Sequence, residues 1–341
     1  MAGSDMKNLS MENLKEALLQ LYDFSGEMDI YLLKYSENLT YALEVPGNGP
    51  QYVLRLYRPG YHDREELLGE LLWLRQLSGD TQIKLAAVVP GNNGELIQTL
   101  YMDGCSLFGA VFEYVSGDIL RNLTGQQLYK YMEKIGEITA VLHDHVIQWP
   151  GARHLKRFTW DFFDLTGPDA RWGDYTRMMT LTPGQRSVYG HAVAVAQKRL
   201  EVYGKGPDRY GLIHSDLNIN NILVNGDDIY VLDFDDCGFG WFLYDLSTSV
   251  LEYFDDVLHD CVEALLKGYE RYRPLKKEDR EELETFIVLR KIVRVGWIAT
   301  HWDNDTVRGV KASYYVKTAA LAAAYCEKNL ELFEMRDEDA V

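Results

Sequence analysis

One β-type island, Gly211 to Asp236, interrupts an otherwise helical second half of the chain, and it reads GLIHSDLNINNILVNGDDIYVLDFDD. Within it Ile222 to Val224 predicts an apolar strand, Asn225-Gly226 is a two-residue turn signal, and Ile229 to Leu232 predicts the return strand. Such a hairpin brings Asp233 back beside Asn221, while Asp216 lies on the loop that precedes Asn221. A carboxylate and an amide oxygen at the open end of one hairpin are hard ligands of the kind Mg²⁺ takes, together with phosphate oxygens and water. The chain must therefore set a small sheet among helices.

The remainder of the sequence divides around that requirement. After Ser10, the residues Leu14, Ala17, Leu18 and Leu21 fall on one helical face. Three strand patterns follow at Asp29 to Tyr35, Leu39 to Val45 and Gln51 to Arg58, the last two separated by the turn cluster Pro46 to Pro50. Leu67, Leu68, Leu71, Leu74 and Leu77 then mark a helix, and Glu95 to Tyr101 and Cys105 to Val115 predict two strands around an Asp103-Gly104 turn. From Ser116-Gly117 onward the pattern is helical. Thr124 with Gln127 predicts a capping box, and Thr182-Pro183 with Gln185 predicts another whose helix runs to about Tyr203. Further helices are expected at Leu246 to Tyr272, Lys277 to Trp302 and Val310 to Glu334. The domain expectation is a strand-rich lobe over residues 1–115 and a helix-rich lobe over 116–341.

Charge restricts the partners. The 52 acidic and 35 basic residues leave a net charge of −17, which speaks against non-specific binding to nucleic acid or to an anionic membrane. It does not exclude an anionic ligand, because one pocket can gather positive groups inside an acidic protein. Cys105, Cys237, Cys261 and Cys326 form no C-x-x-C pair, there is no signal-peptide pattern and no apolar run of membrane-spanning length, so a cytoplasmic location is expected.

His214, Asp216 and Asn221 reproduce the H-x-D-x-x-x-x-N catalytic loop of the protein-kinase-like fold, with Asp233-Phe234 where that fold carries its metal-binding aspartate. HSDLNINNILV followed by VLDFDDCGFGWFLYDLS more closely resembles the aminoglycoside phosphotransferase and choline kinase family. The resemblance implies an α+β, two-lobed protein-kinase-like fold, with an antiparallel β-sheet lobe that binds nucleotide and a mainly α-helical lobe that holds the acceptor. It implies ATP and Mg²⁺ as cofactors, Asp216 orienting the acceptor hydroxyl, and Asn221 with Asp233 holding the metal. Ser36-Glu37-Asn38 lies where the family has its phosphate-covering loop, and Ser36 and Asn38 become nucleotide-binding candidates. YVLRLYRPG stands at the third strand, with Arg55 in place of the usual phosphate-contacting lysine and Glu70 as its expected partner. VFEYV, residues Val111 to Val115, resembles the hinge whose backbone at Glu113 and Val115 would meet adenine.

Several residues carry a second, structural reading. Glu37 and Asn38 can be plain turn residues, Glu66 competes with Glu70 for Arg55, and His214 and Asp245 are read as groups that fix the loop. His143-Asp144-His145 looks like a metal cluster, but neighbours on a helix diverge by about 100°, which favours a helix-end cap. Trp297, His301 and Trp302 either line an acceptor pocket or pack helices, and Glu331 to Asp339 reads as a solvated end. Asp161, Asp303 and Asp305 suit a cationic acceptor; Arg153, Arg157 and Arg171 suit an acceptor carboxylate. The leading function is an ATP- and Mg²⁺-dependent phosphotransferase acting on a small-molecule hydroxyl, such as that of an aminoglycoside, an amino alcohol or a homoserine-like compound. The alternatives are a protein Ser/Thr kinase, against which Ser215 and Asp235 replace the Arg of H-R-D and the Gly of D-F-G, and a nucleotide-binding pseudokinase or sensor, for which Arg55 is the main support.

Overall fold

The computed structural model describes residues 9–24, 28–35, 37–102, 104–120, 123–302, 307, 310 and 312–330. The described residues fall into two compact units: one within Met1–Leu120, His154–Arg157 and Asn220–Asp235, the other within Arg121–Arg153, Phe158–Ile219 and Asp236–Val341.

In the first unit Ser10 caps α1 (Met11–Leu21), its hydroxyl accepting from the Asn13 amide at 3.3 Å. Strands β1 (Asp29–Tyr35), β2 (Leu39–Val45) and β3 (Gly49–Leu56) follow, then α2 (Arg64–Asp80), the short β4 (Lys84–Leu85) and β5 (Val88–Val89), and the pair β6 (Gln98–Met102) and β7 (Cys105–Glu113). Asp103 of the expected turn lies outside the described residues. The sheet runs β1-β2-β3-β7-β5 with β6 on β7, antiparallel throughout. Side chains alternate along a strand. Leu54 and Leu56 therefore join Leu14 and Leu18 of α1 in the core, and Arg55 projects from the other face of β3.

A second sheet belongs to the same unit. It adds β8 (Asp118–Ile119) and, beyond β9 (Tyr210–Ile213) of the other unit, the hairpin β10 (Ile222–Asn225) and β11 (Asp228–Val231). Asn225 pairs with Asp228, so the turn residues are Gly226 and Asp227, one position beyond the expected Asn225-Gly226. Gly226 has φ +61°, and placing the glycine first among the two turn residues spares an Asn side chain the left-handed backbone.

The second unit is helical: α3 (Gly125–Gln148), α4 (Phe162–Thr166), α5 (Pro183–Tyr203), then β12 (Gly238–Trp241) paired with β9, α6 (Phe242–Ser249), α7 (Asp255–Tyr269), α8 (Lys277–Thr300) and α9 (Ser313–Lys328). Its core joins Tyr189 and Val195 of α5 to Val288, Ile292 and Val295 of α8 and Tyr314 and Ala322 of α9. The Thr182 capping box forms as expected, with Pro183 at the first helical position. The Thr124 box does not form: Gly125 has φ +54°, which turns the chain at the helix start, and the Thr124 side chain makes no capping bond. Glu331 to Glu334 of the last expected helix, and the acidic tail, lie outside the described residues. Among those residues no helix is long and apolar enough to cross a membrane.

The helix expected over Leu246 to Tyr272 is broken after Ser249 and restarts at Asp255. Apolar periodicity does not reveal the cause, which is a lysine on another helix. Lys291 of α8, fully buried, donates to the carbonyls of Leu251 at 2.8 Å and Tyr253 at 2.7 Å, with Val250 O at 3.4 Å. Its ammonium also lies 3.9 Å from the Phe254 ring centroid. A continuous helix would turn those carbonyls into its own ladder and strand the cation. Replacing Lys291 with Met should leave the carbonyls without their donor and lower the unfolding free energy by about 3 kcal/mol, measured by urea unfolding. An unchanged midpoint would show that the break has another origin.

Candidate active site

In the first unit the geometry is set by α2. Asp63 caps this helix by accepting from the Glu65 and Glu66 amides at 3.0 and 2.9 Å, and Glu66 Oε2 accepts from the Asp63 amide at 3.2 Å. Glu66 is engaged by the cap, and Glu70, one turn on and fully buried, meets Arg55: Nη1 to Oε1 is 3.2 Å. The other end of the same guanidinium reaches Asp233 Oδ1 at 3.1 Å. Burial pushes Glu70 up to about 7 with Arg55 opposing, and it also raises Asp235, again against Arg55. For Arg55 burial acts downward, but Asp233 and Glu70 outweigh it and hold the guanidinium firmly protonated.

The hairpin carries Asn221 and Asp233, the two residues expected to hold a metal, at its open end. The Leu232 amide donates to Asn221 O at 2.9 Å, so the ladder continues one step past β10 and β11 and Asp233 is the next residue. Asp233 has φ +64°, a left-handed backbone that is uncommon outside glycine, and Phe234 is buried edge-on against Trp73. An exposed-edge carboxylate and an amide carbonyl fit an ion that takes one or two protein oxygens and completes its shell with phosphate and water. Among the described residues no three His, Cys, Asp or Glu groups converge on a metal-sized site.

The neighbouring positive groups are committed to the scaffold. Arg157 donates to Glu66 O at 2.8 Å and to Asp235 O at 2.5 Å. Asn38 Oδ1 accepts from the Arg58 amide at 3.0 Å, and Glu37 pairs with the Arg58 guanidinium at 2.5 Å, so both hold the start of β2 to the end of β3. Ser36 lies outside the described residues. The Glu113 amide donates to Ala87 O at 2.8 Å at the end of β7, and Val115 follows in non-regular backbone.

In the second unit a single helix face shapes the catalytic-type loop. Asp245 of α6, fully buried, accepts from the His214 amide at 2.9 Å and the Ser215 amide at 2.5 Å. One turn later the Thr248 hydroxyl lies 3.1 Å from Ser215 O, and Ser249 donates to Leu217 O at 2.7 Å. Ser215 takes φ +65°, its hydroxyl donating to Asp236 O at 2.5 Å. Asp216 follows it, with Oδ1 accepting from Asn218 Nδ2 and from Arg290 Nη2, each at 3.2 Å.

Sequence reasoning recognised Asp245 and missed Thr248, Ser249 and Arg290. The signal was present as a Asp-Leu-Ser-Thr-Ser run whose polar residues recur at i, i+3 and i+4 inside an apolar stretch. His143 is neither a metal ligand nor a helix-end cap. It is buried, with Nε2 3.2 Å from Asp245 Oδ2 and Nδ1 2.9 Å from Tyr269 Oη. Arg171 stacks on Phe158 at 3.8 Å, Trp297 stacks on His301 at 4.8 Å, and Asp161 pairs with Lys205 at 2.7 Å; Asp303 and Asp305 lie outside the described residues.

An antiparallel sheet bearing an arginine–glutamate pair, followed by a mostly helical part with an H-x-D loop, defines a protein-kinase-like phosphotransferase. A family model described as "Phosphotransferase enzyme family" matches residues 33–284. The chain belongs to this family, and is a kinase of the class that phosphorylates small molecules on a hydroxyl. It is similar to the structure of a microcompartment-associated aminopropanol kinase, at 32% identity and a TM-score of 0.77 over 92% of this chain and 95% of the other. Amicoumacin kinase of Bacillus subtilis (strain 168) is 25% identical over 89% of each chain. The structure of an amicoumacin kinase, hAmiN, in complex with AMP-PNP, Ca²⁺ and Ami shares the fold at a TM-score of 0.73 and 22% identity, over 96% of each chain.

Burial also makes stability depend on pH. His62, buried beside Glu66 and Asp235, is pushed down to about 3 by desolvation, with Arg157 adding to it. The folded value lies below the unfolded one of about 6.5, so below that pH the unfolded chain binds a proton that the native state refuses, and stability falls as pH drops. Between pH 6 and 4.5 His62→Gln should remove about 1.4 kcal/mol per pH unit from the slope of unfolding free energy against pH. Parallel slopes for the two proteins would mean that native His62 takes up its proton.

Proposed function

We propose that the protein transfers the γ-phosphoryl group of ATP to the hydroxyl of a small amino-bearing alcohol, with Mg²⁺ as the metal. The observation that carries this reading is the loop held by Asp245, which presents Asp216 on a fixed backbone in a chain 32% identical to an aminopropanol kinase. Nucleotide falls to the strand-rich lobe, residues 1–115, and acceptor to the helical lobe, residues 116–341, with the Asn220–Asp235 hairpin serving the nucleotide side. Phosphoryl transfer demands alignment and charge neutralisation more than covalent help.

Each residue then has a task. Asp216 receives the acceptor hydroxyl and orients its oxygen toward the phosphorus. Arg55 holds phosphate oxygens through its fork, with Glu70 keeping the guanidinium in place. Asn221 and Asp233 supply the oxygens for the metal, which when bound neutralises the charge on the nucleotide phosphates. Ser36 and Asn38 border the phosphates, and the backbone of Glu113 and Val115 meets the adenine. An amine on the acceptor is favoured because two of the three arginines read as carboxylate-binding are engaged, Arg157 with two carbonyls and Arg171 with an aromatic ring, and the third, Arg153, lies exposed.

The test is ADP release from MgATP with neutral, cationic and anionic alcohols, aminopropanol among them. Cationic alcohols should turn over fastest, and phosphate appearing on protein with no small-molecule product would refute the reading. Asp216→Asn should lower kcat by about 100-fold or more while nucleotide affinity persists, whereas Asp233→Asn should weaken metal-dependent nucleotide binding as well, by calorimetry. Wild-type turnover in both variants would remove the assignments.

A further inference from the structure

We propose that Arg290 is the positioning residue that aims Asp216 at the acceptor hydroxyl. The inference rests on the reading of Asp216 as the hydroxyl-orienting carboxylate and adds what holds that carboxylate. Arg290 lies on α8, 3% exposed, far along the chain from the loop. Its Nε donates to Thr248 Oγ1 at 3.0 Å, its Nη2 donates to Asp216 Oδ1 at 3.2 Å, and its plane covers Trp172 at 4.3 Å from the ring centroid. Thr248 in turn contacts Ser215 O, so one planar cation fixes both the backbone before Asp216 and the side chain of Asp216 itself.

Asn218 also bonds Asp216 Oδ1, but it belongs to the same loop and moves with it. Arg290 ties the carboxylate to a helix outside the loop. The geometry needs a fork and not merely a charge: Nε and Nη2 point in directions fixed by the guanidinium plane, and the Trp172 face holds that plane. A lysine ammonium carries three donors but no plane, so stacking on Trp172 would not fix the directions in which they point. Rate in such a reaction follows alignment, and a misplacement of about 1 Å can cost about 100-fold.

The experiment compares Arg290→Lys, Arg290→Met and Thr248→Val with the wild-type protein and Asp216→Asn. ADP release from MgATP is measured with aminopropanol as acceptor, or with the fastest alcohol of the screen above if aminopropanol does not serve. Arg290→Met should lose about 100-fold in kcat, Arg290→Lys about 10-fold and Thr248→Val several-fold, with the KM for MgATP within about twofold of wild type. A buried ion pair that only supported the fold would shift the melting temperature and leave the kcat-to-KM split unchanged. If Arg290→Met does not fold, Arg290→Lys and Thr248→Val decide. Wild-type kcat in those two, with Asp216→Asn inactive, overturns the role of Arg290 alone; wild-type turnover in Asp216→Asn overturns the underlying reading of the loop.

Discussion

A carboxylate sealed from water has to find its donors inside the protein, and the catalytic-type loop is bent to supply them to Asp245. Both backbone amides of His214 and Ser215 turn toward it, and Ser215 adopts a left-handed backbone as they do so. Leaving such a charge without partners costs several kcal/mol, enough to make any other loop shape uncompetitive. The network extends outward in one direction. Arg273 can only donate, so its Nε bond to Tyr269 Oη at 3.0 Å directs the tyrosine proton to His143 Nδ1, and the imidazole then donates from Nε2 to Asp245. Burial lowers the His143 pKa, with Asp245 opposing, which keeps the ring neutral and this single tautomer in place.

The first unit solves a different problem, that of keeping several acids near one another. Asp233 and Glu70 share the guanidinium of Arg55, and Asp235 is buried nearby with its backbone carbonyl held by Arg157. A lysine at position 55 would offer a compact charge, whereas the arginine fork spans two carboxylates at once. Its replacement of the usual lysine is thus accompanied by a partner for each end of the side chain. The same group that is expected to meet phosphate already organises the metal-side aspartate.

How much of this could be read from residues alone depended on the range of the interaction. The hairpin, the first two strands and the Ser10 and Thr182 caps rest on neighbours in sequence, and they were legible to within a residue or so. Arg55 with Glu70 came from the resemblance to the family, with Glu66 left as a competitor, and it is the helix cap that engages Glu66 and leaves Glu70 to meet the guanidinium. The break before α7 was not, since it is imposed by Lys291 from a helix some forty residues on, and an apolar pattern has no record of where carbonyls are needed. Arg290 escaped for the same reason: nothing near it in sequence marks it as anything but a polar residue on a helix that is otherwise largely buried.

The backbone at Asp233 has a consequence for how the protein would drift under selection. Its φ of +64° is a conformation in which a side chain bearing a Cβ is held at a cost of about 1 kcal/mol or more, and a glycine there would rest without it. A library of random variants sorted for heat resistance alone would weigh that relief against the 3.1 Å ion pair with Arg55, which a glycine at position 233 would break. Backbone comfort and charge pairing compete at this one residue, where an aspartate sits in a left-handed backbone opposite the guanidinium.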